Sequence, residues 1–382
     1  MNTMTVGTTS FPEVLDELTE RVIASSARAV DESALFPRGT VDALAEAGVL
    51  GLVSAEEVGG HGGGLSDAVA AVERIARSCA SSAMVVCMHY AATAVLEAHG
   101  SREVRESIAR GRHLSTLALS EAGSRSHFWA PVGTATQADD RILLNARKSW
   151  ITSAGEADSY VWSSTPLGGD ADGGSTLWLV GADSDGLTVT APFDGLGMRG
   201  NCSAPVVGVD VAVDRDAMLG PDGGGFSIMM SIVLPWFQLM NAAVSLGIME
   251  AALSGAVAHV ADTRLQHLGQ SLADLPTIRA YLARARITTD SVRALMIDTL
   301  EAVSIGRDDA SLRVLEMKAA AAEAALAVTD TAMRVCGGAA FRKEAGIERN
   351  FRDARAMSVM APTTDVLYDF IGKAMCGLPL FP

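Results

Sequence analysis

The sequence predicts an α+β protein of three parts: an N-terminal helical domain, a central β-barrel or sandwich domain, and a C-terminal four-helix bundle. Three observations predict it. Apolar residues recur at helical spacing from about Pro12 to Arg112. Near Leu114 the pattern changes to short runs rich in β-branched and aromatic residues. Helical periodicity then returns at Phe226 and lasts almost to the end. The implied domains are residues 1–113, 114–220 and 221–382.

In the first part, FPEVLDELTERVIASSARAVDES and TVDALAEAGVLGL carry apolar residues at spacings of three and four, the second ending at glycines. SAEEVGGHGGGLSD is too glycine-rich for helix. It reads as a connector, because it lacks the Gly-Lys-Ser/Thr ending of a phosphate-binding loop. LSDAVAAVERIARSCASSAMVVCMHYAATAVLEAHGS reads as one long buried helix or two, its small residues allowing close packing. In the middle part, LSTLALSE, RILLNARKSWITSA, SYVWSST, STLWLVGAD, LTVTAPF and PVVGVDVAV predict strands, separated by Gly/Asp/Asn clusters. The run Leu219-Gly220-Pro221-Asp222-Gly223-Gly224-Gly225 closes it. In the last part, three segments beginning at Phe226, Leu272 and Ala310 are long enough for an antiparallel bundle.

Composition narrows the function. Apolar residues make up 49% of the 382 and aromatics 5%, which suits a large, mostly helical globular protein. A net charge of −15 argues against nucleic acid as the main partner, since phosphate binding needs a basic footprint. Cys79, Cys87, Cys202, Cys336 and Cys376 match no zinc spacing and read as reduced thiols. No secretory signal is visible, and no run is expected to reach the ~18 apolar residues of a membrane span. The expectation is a soluble, cytoplasmic protein.

Met333–Asp365 is the stretch that carries chemistry. Gly337 and Gly338 allow close backbone approach to a flat or anionic ligand, since neither has a Cβ. A helix-end turn would use the same pair. An acid-base cluster and the turn Ala361-Pro362-Thr363 follow.

Taken together, SEAGSRSH, KSWITSAGEADSYVW, LGMRGNCSAPVVGVDVAV and GGAAFRKEAGIERNFRDAR resemble, in that order, the acyl-CoA dehydrogenase flavoprotein family. AEAGVLGLVSAEEVGGHGGG resembles its opening helices and glycine-rich loop, so the similarity covers essentially the whole chain. The resemblance implies FAD between the β-domain and the bundle, and a homo-oligomer, a dimer or a tetramer of paired dimers, in which a neighbouring subunit completes the FAD site. It implies an acyl-CoA or acyl-carrier-protein substrate and an electron-transfer partner or flavin reductase. Residue by residue, Ser120 and Ser126 match hydroxyl positions near flavin and ligand. Trp150 and Thr152 match the Trp-Ile-Thr segment flanking the isoalloxazine, with the threonine hydroxyl expected near flavin N5. Arg334, Gly337 and Gly338 match the loop that holds FAD across the subunit boundary, although Gln is usual at Arg334. Thr363 matches a threonine that contacts FAD. Arg264 matches, one residue early, an arginine that meets the pyrophosphate.

The family's chemistry begins with removal of an α-proton from the thioester by a glutamate, and that position falls here on Ala361. The alternative location, on the helix that opens the bundle, falls on Phe237-Gln238. Ala122, His127, Pro362 and Asp365 also depart from the pattern. Three readings remain: a dehydrogenase with a relocated base, for which Asp365, His127 and Glu121 are the candidates; a flavin-dependent monooxygenase of the same fold; or a non-catalytic partner protein. An imidazole suits proton transfer near neutral pH. The resemblance of KSWITSAGEAD and LGMRG to the dehydrogenases puts the first reading ahead.

Overall fold

A computed structural model of the protein describes residues 11–124, 127–169 and 174–381. Helices α1 (Phe11–Leu18), α2 (Ala24–Ser33), α3 (Arg38–Glu46), α4 (Leu65–Ala76), α5 (Ala80–His99) and α6 (Arg102–Ala109) form the N-terminal part. The segment expected to be one helix or two is two. The chain breaks at Cys79, whose extended backbone (φ −148°) caps α5. Within the glycine-rich connector, the N–H groups of Gly60, Gly62 and Gly63 are taken by the carbonyls of Ala55, Ser54 and Leu52. They therefore have nothing left to offer a phosphate.

The middle part contains β1 (Ser115–Ala118), β2 (Thr134–Ala138), β3 (Arg141–Ile151), β4 (Ser159–Ser164), β5 (Thr176–Gly181), β6 (Leu187–Val189), β7 (Ala204–Val213) and β8 (Met218–Leu219). Two four-stranded sheets result, in the orders β1-β4-β5-β8 and β2-β3-β7-β6. Tyr160, Trp162 and Trp178 from the first pack with Ile142, Leu144 and Val206 from the second in one buried cluster. This is the sandwich that the strand pattern predicts. Strand β2, TATQA, adds to the predicted set. Only its second residue, Ala135, is buried, so it shows almost no hydrophobic alternation.

The last part begins with α7 (Gly225–Ile228), a wider helical turn over Met229–Val233, and α8 (Leu234–Asp262), in unbroken succession. Pro235 falls in the first turn of α8, where its missing N–H follows that wider turn. A hairpin of β9 (Arg264–Leu265) and β10 (Gln270–Ser271) leads to α9 (Pro276–Ile305), α10 (Ala310–Cys336), α11 (Ile347–Val359) and α12 (Thr364–Met375). Every residue from Gln238 to Met249 is buried, so α8 is the central helix of the bundle. Gly225–Asp262 is long and apolar enough to cross a membrane by length and composition alone. Its scattered polar residues interrupt every simple apolar run. With 72% of its most apolar window buried in the molecule, the helix has a core to explain that composition. All five cysteines are free thiols.

Candidate active site

A cavity of about 1010 Å³ opens where the β-domain meets the bundle. The local sequence explains how β3 reaches it. Along this strand Ile142, Leu144, Ala146 and Lys148 share the buried face. Between Lys148 and Ile151 the pairing with β7 gains one extra residue, a β-bulge, and Trp150 takes φ +59°. A bulky residue in the left-handed region is uncommon and marks a site the surrounding fold enforces. The bulge turns the indole outward, leaving Trp150 62% exposed at the cavity and stacked on Phe193 at 4.0 Å. Thr152 follows on the cavity wall, 4% exposed. Across from β3, the loop after β7's partner strand comes very close to α11. A Cβ on Gly197 would stand 2.5 Å from the Arg352 carbonyl, so only glycine fits there.

Ser120, Trp150, Thr152 and Thr363 all line this cavity. Thr363 also caps α12, its hydroxyl accepting from Val366 N at 3.5 Å. Ser126 lies outside the described residues. An uncovered aromatic face beside small hydroxyls fits the flat, polar-edged ring of a flavin. Arg264, Arg334, Gly337 and Gly338 do not line the cavity. Arg264 is exposed on β9. Arg334 stands on α10 eleven residues beyond Glu323, a cavity residue, or about 16 Å along the axis. Its guanidinium lies 5.5 Å above the Tyr281 ring. Gly337 (φ +55°) and Gly338 have open space where a Cβ would go. All four of these residues are exposed.

The base candidates differ in their freedom. Ala361 lines the cavity, as do Glu121, His127 and Asp365. The Glu121 carboxylate is committed: one oxygen accepts from Lys148 Nζ at 2.6 Å, the other from Val132 N and Gly133 N at 2.8 Å each. Lys148 also donates to Ser163 O and Oγ, and burial pushes its amine down to about 8 despite the Glu121 charge. Both side chains are almost wholly buried, so this pair is part of the scaffold. His127 Nδ1 lies 3.2 Å from the Ser124 carbonyl, which can only accept. Nδ1 therefore carries the proton, and Nε2 is the nitrogen left to take one. Asp365 is exposed in the first turn of α12.

Several residues of the site escaped the sequence reading. Phe193, Arg199, Glu323 and Arg355 line the cavity. Lys148 and Lys318 stand just behind it. Lys148 had a signal, since it occupies the buried parity of β3. Lys318 had one as well, four residues after Val314 and four before Ala322 on the buried face of α10.

Three family models cover the chain: acyl-CoA dehydrogenase N-terminal domain at residues 8–111, middle domain at 116–211 and C-terminal domain at 223–376. The human mitochondrial short-chain specific acyl-CoA dehydrogenase is 30% identical over 358 residues, 92% of this chain and 85% of that one. The probable acyl-CoA dehydrogenase YngJ of Bacillus subtilis is 28% identical over 365 residues, 93% and 94% of the two chains. Butyryl-CoA dehydrogenase from Megasphaera elsdenii superposes with a TM-score of 0.90 at 24% identity, covering 98% of this chain and 100% of the other. From its order of domains, its cavity and these relatives, the chain belongs to the acyl-CoA dehydrogenase family.

Proposed function

We propose that the protein is an FAD-dependent oxidoreductase that dehydrogenates an acyl thioester, carried on coenzyme A or an acyl-carrier protein, between its α and β carbons. The observation that carries this reading is Trp150, swung out by the β3 bulge to present a bare aromatic face beside Thr152 in a cavity between sheet and bundle. Trp150, Thr152, Ser120 and Thr363 would hold the flavin within one chain. Arg264, Arg334, Gly337 and Gly338 would meet the flavin of a second copy, in a homodimer or homotetramer. FAD, when bound, supplies the acceptor for a hydride from the β carbon.

The chain's own task is to hold the substrate, exclude water and remove the α-proton. Met84 and Met88 of α5 and Phe237 of α8 give the cavity an apolar side that suits an acyl group. His127 is the base we favour, because its Nε2 has no partner among the described residues, whereas Glu121 is spent on Lys148. The proton would pass from the α carbon to His127 Nε2, leaving an imidazolium with both nitrogens protonated. Asp365 is the second candidate.

An anaerobic titration of the purified holoprotein against a panel of acyl thioesters, followed by flavin absorbance, tests the reading. Bleaching by at least one thioester is the expected result. A colourless protein that takes up no FAD would overturn it. Product hydroxylation in the presence of a flavin reductase and oxygen, with no thioester bleaching, would replace it by the monooxygenase reading.

A further inference from the structure

Position 361 sits in a turn whose two flanking carbonyls are gripped by one buried amine. Lys318 on α10 is 0% exposed. Its Nζ donates to Met360 O at 2.8 Å and to Pro362 O at 2.6 Å. Between these two oxygens lie the dihedrals of Ala361 and Pro362, and the proline ring already fixes one of them. A single nitrogen thus restrains the few soft torsions that decide where the 361 side chain points.

The surroundings are polar for a bundle interior. Gln238 and Asn241 stand one turn apart on α8, both 0% exposed. Asn241 Nδ2 donates to Met360 Sδ at 3.4 Å, so α8 also touches the turn. Gln238 Nε2, Gln238 Oε1 and Asn241 Oδ1 have no partner among the described residues. Leaving such groups unsatisfied opposes folding. Among the described residues no carboxylate pairs with Lys318: its partners are the turn's carbonyls, and α8 meets the turn through the neutral amide of Asn241. Asp365 and Glu323 lie exposed on the cavity side. Burial alone pushes the Lys318 amine down to about 7. A neutral amine has two N–H groups, matching the two carbonyls. An ammonium has a third, and neither free amide oxygen is hydrogen-bonded to it.

We propose that Lys318 is a positioning residue of the active site, holding the Met360–Pro362 turn so that the 361 side chain and Thr363 face the cavity. Its effect on turnover rests on the dehydrogenase reading above; its effect on the turn does not.

Hydrogen exchange of the holoprotein tests the structural half directly. In Lys318→Met the amides of Met360, Val366 and Leu367, bonded to Ala356 O, Thr363 Oγ1 and Thr363 O in the native protein, exchange at least tenfold faster, while those of α5 and β4 keep their rates. Equal exchange in the turn overturns the proposal. If Lys318→Met does not fold, Lys318→Gln, which keeps two N–H donors on a shorter stem, serves with the same criterion. The second readout is the rate of flavin bleaching by a saturating thioester: adding Ala361→Glu to the native protein changes it at least tenfold, and adding Ala361→Glu to Lys318→Met changes it less than about threefold. An equal effect in both backgrounds also overturns the proposal. If no thioester bleaches the native protein, the dehydrogenase reading fails and the exchange data still decide the role of Lys318.

Discussion

At position 361 a methyl group faces the cavity where the family resemblance calls for a carboxylate. Because the turn around it is held by Lys318, a longer side chain there has a fixed direction to follow. Ala361→Glu is expected to raise thioester-dependent flavin reduction, by up to the roughly 10²–10⁴ that a positioned base contributes. His127→Gln, which keeps a polar side chain without the basic nitrogen, is expected to lower it by a factor of about 10² or more. Stopped-flow absorbance on both variants checks this, and an Ala361→Glu rate no higher than native would place the base elsewhere. At this scale the motifs named Ser120, Trp150, Thr152 and Thr363, which line the cavity, and Arg264, Arg334, Gly337 and Gly338, which do not. On Lys148 and Lys318 the sequence carried only a weak signal, their place on the apolar face of β3 and of α10, because a lysine in a strand or helix is ordinarily a solvated residue. Only its neighbours across the fold show that it is buried.

Among the elements, β3 and α11 do most to shape the site. The bulge in β3 puts Lys148 inside and Trp150 outside with one residue between them, which strict alternation allows only through the extra residue. Strand periodicity alone gives both residues the same face, so the bulge is visible only in the pairing with β7. Helix α11 carries Arg352, which pairs with Asp31 of α2 at 2.6 Å and Glu348 at 2.5 Å and donates to the Leu196 carbonyl at 3.0 Å. One guanidinium thus joins the N-terminal helices, the bundle and the loop that lines the cavity. Arg352→Ala is expected to destabilise the protein by about 3–5 kcal/mol, since it leaves the largely buried Asp31 unpaired. Arg21→Ala, at a pair that is 75% and 58% exposed, is expected to change stability by less than about 1 kcal/mol. Denaturant titration of the two variants compares them.

For the whole molecule, two consequences follow from burial. Lys148 and Lys318 have folded-state amines lowered to about 8 and about 7 from 10.5. Below these values each must be charged in a place that disfavours charge, while the unfolded chain holds the same proton freely. Stability is therefore expected to rise with pH from about 7 upward. Buried Tyr90, Cys79 and Cys87 are shifted upward and oppose this trend from about pH 9. Thermal midpoints between pH 7 and 8.5 should rise in the native protein and rise less in Lys318→Met. The second consequence concerns assembly. Ile287, Ile297 and Ile305 on α9 are 66%, 62% and 67% exposed, and Phe341 beyond Gly337 and Gly338 is 79% exposed. A single copy leaves this surface in water. Sedimentation should show the proposed homo-oligomer, and Ile287→Lys combined with Ile297→Lys should dissociate it and weaken FAD binding, since the residues proposed to meet the flavin of a second copy would then lose it.

The sequence by itself determined the three-part order, nearly every strand and long helix, and the family, because these depend on periodicities of two and of 3.6 and on motifs contiguous in the chain. Only the tertiary structure decided that Glu121 is consumed by Lys148, that His127 Nδ1 meets the Ser124 carbonyl and leaves Nε2 without a partner among the described residues, and that Lys318 grips the turn at Ala361. The first and third are contacts between residues 27 and 44 positions apart, set by how strands and helices pack, and the second is a turn contact three residues apart that no periodicity announces.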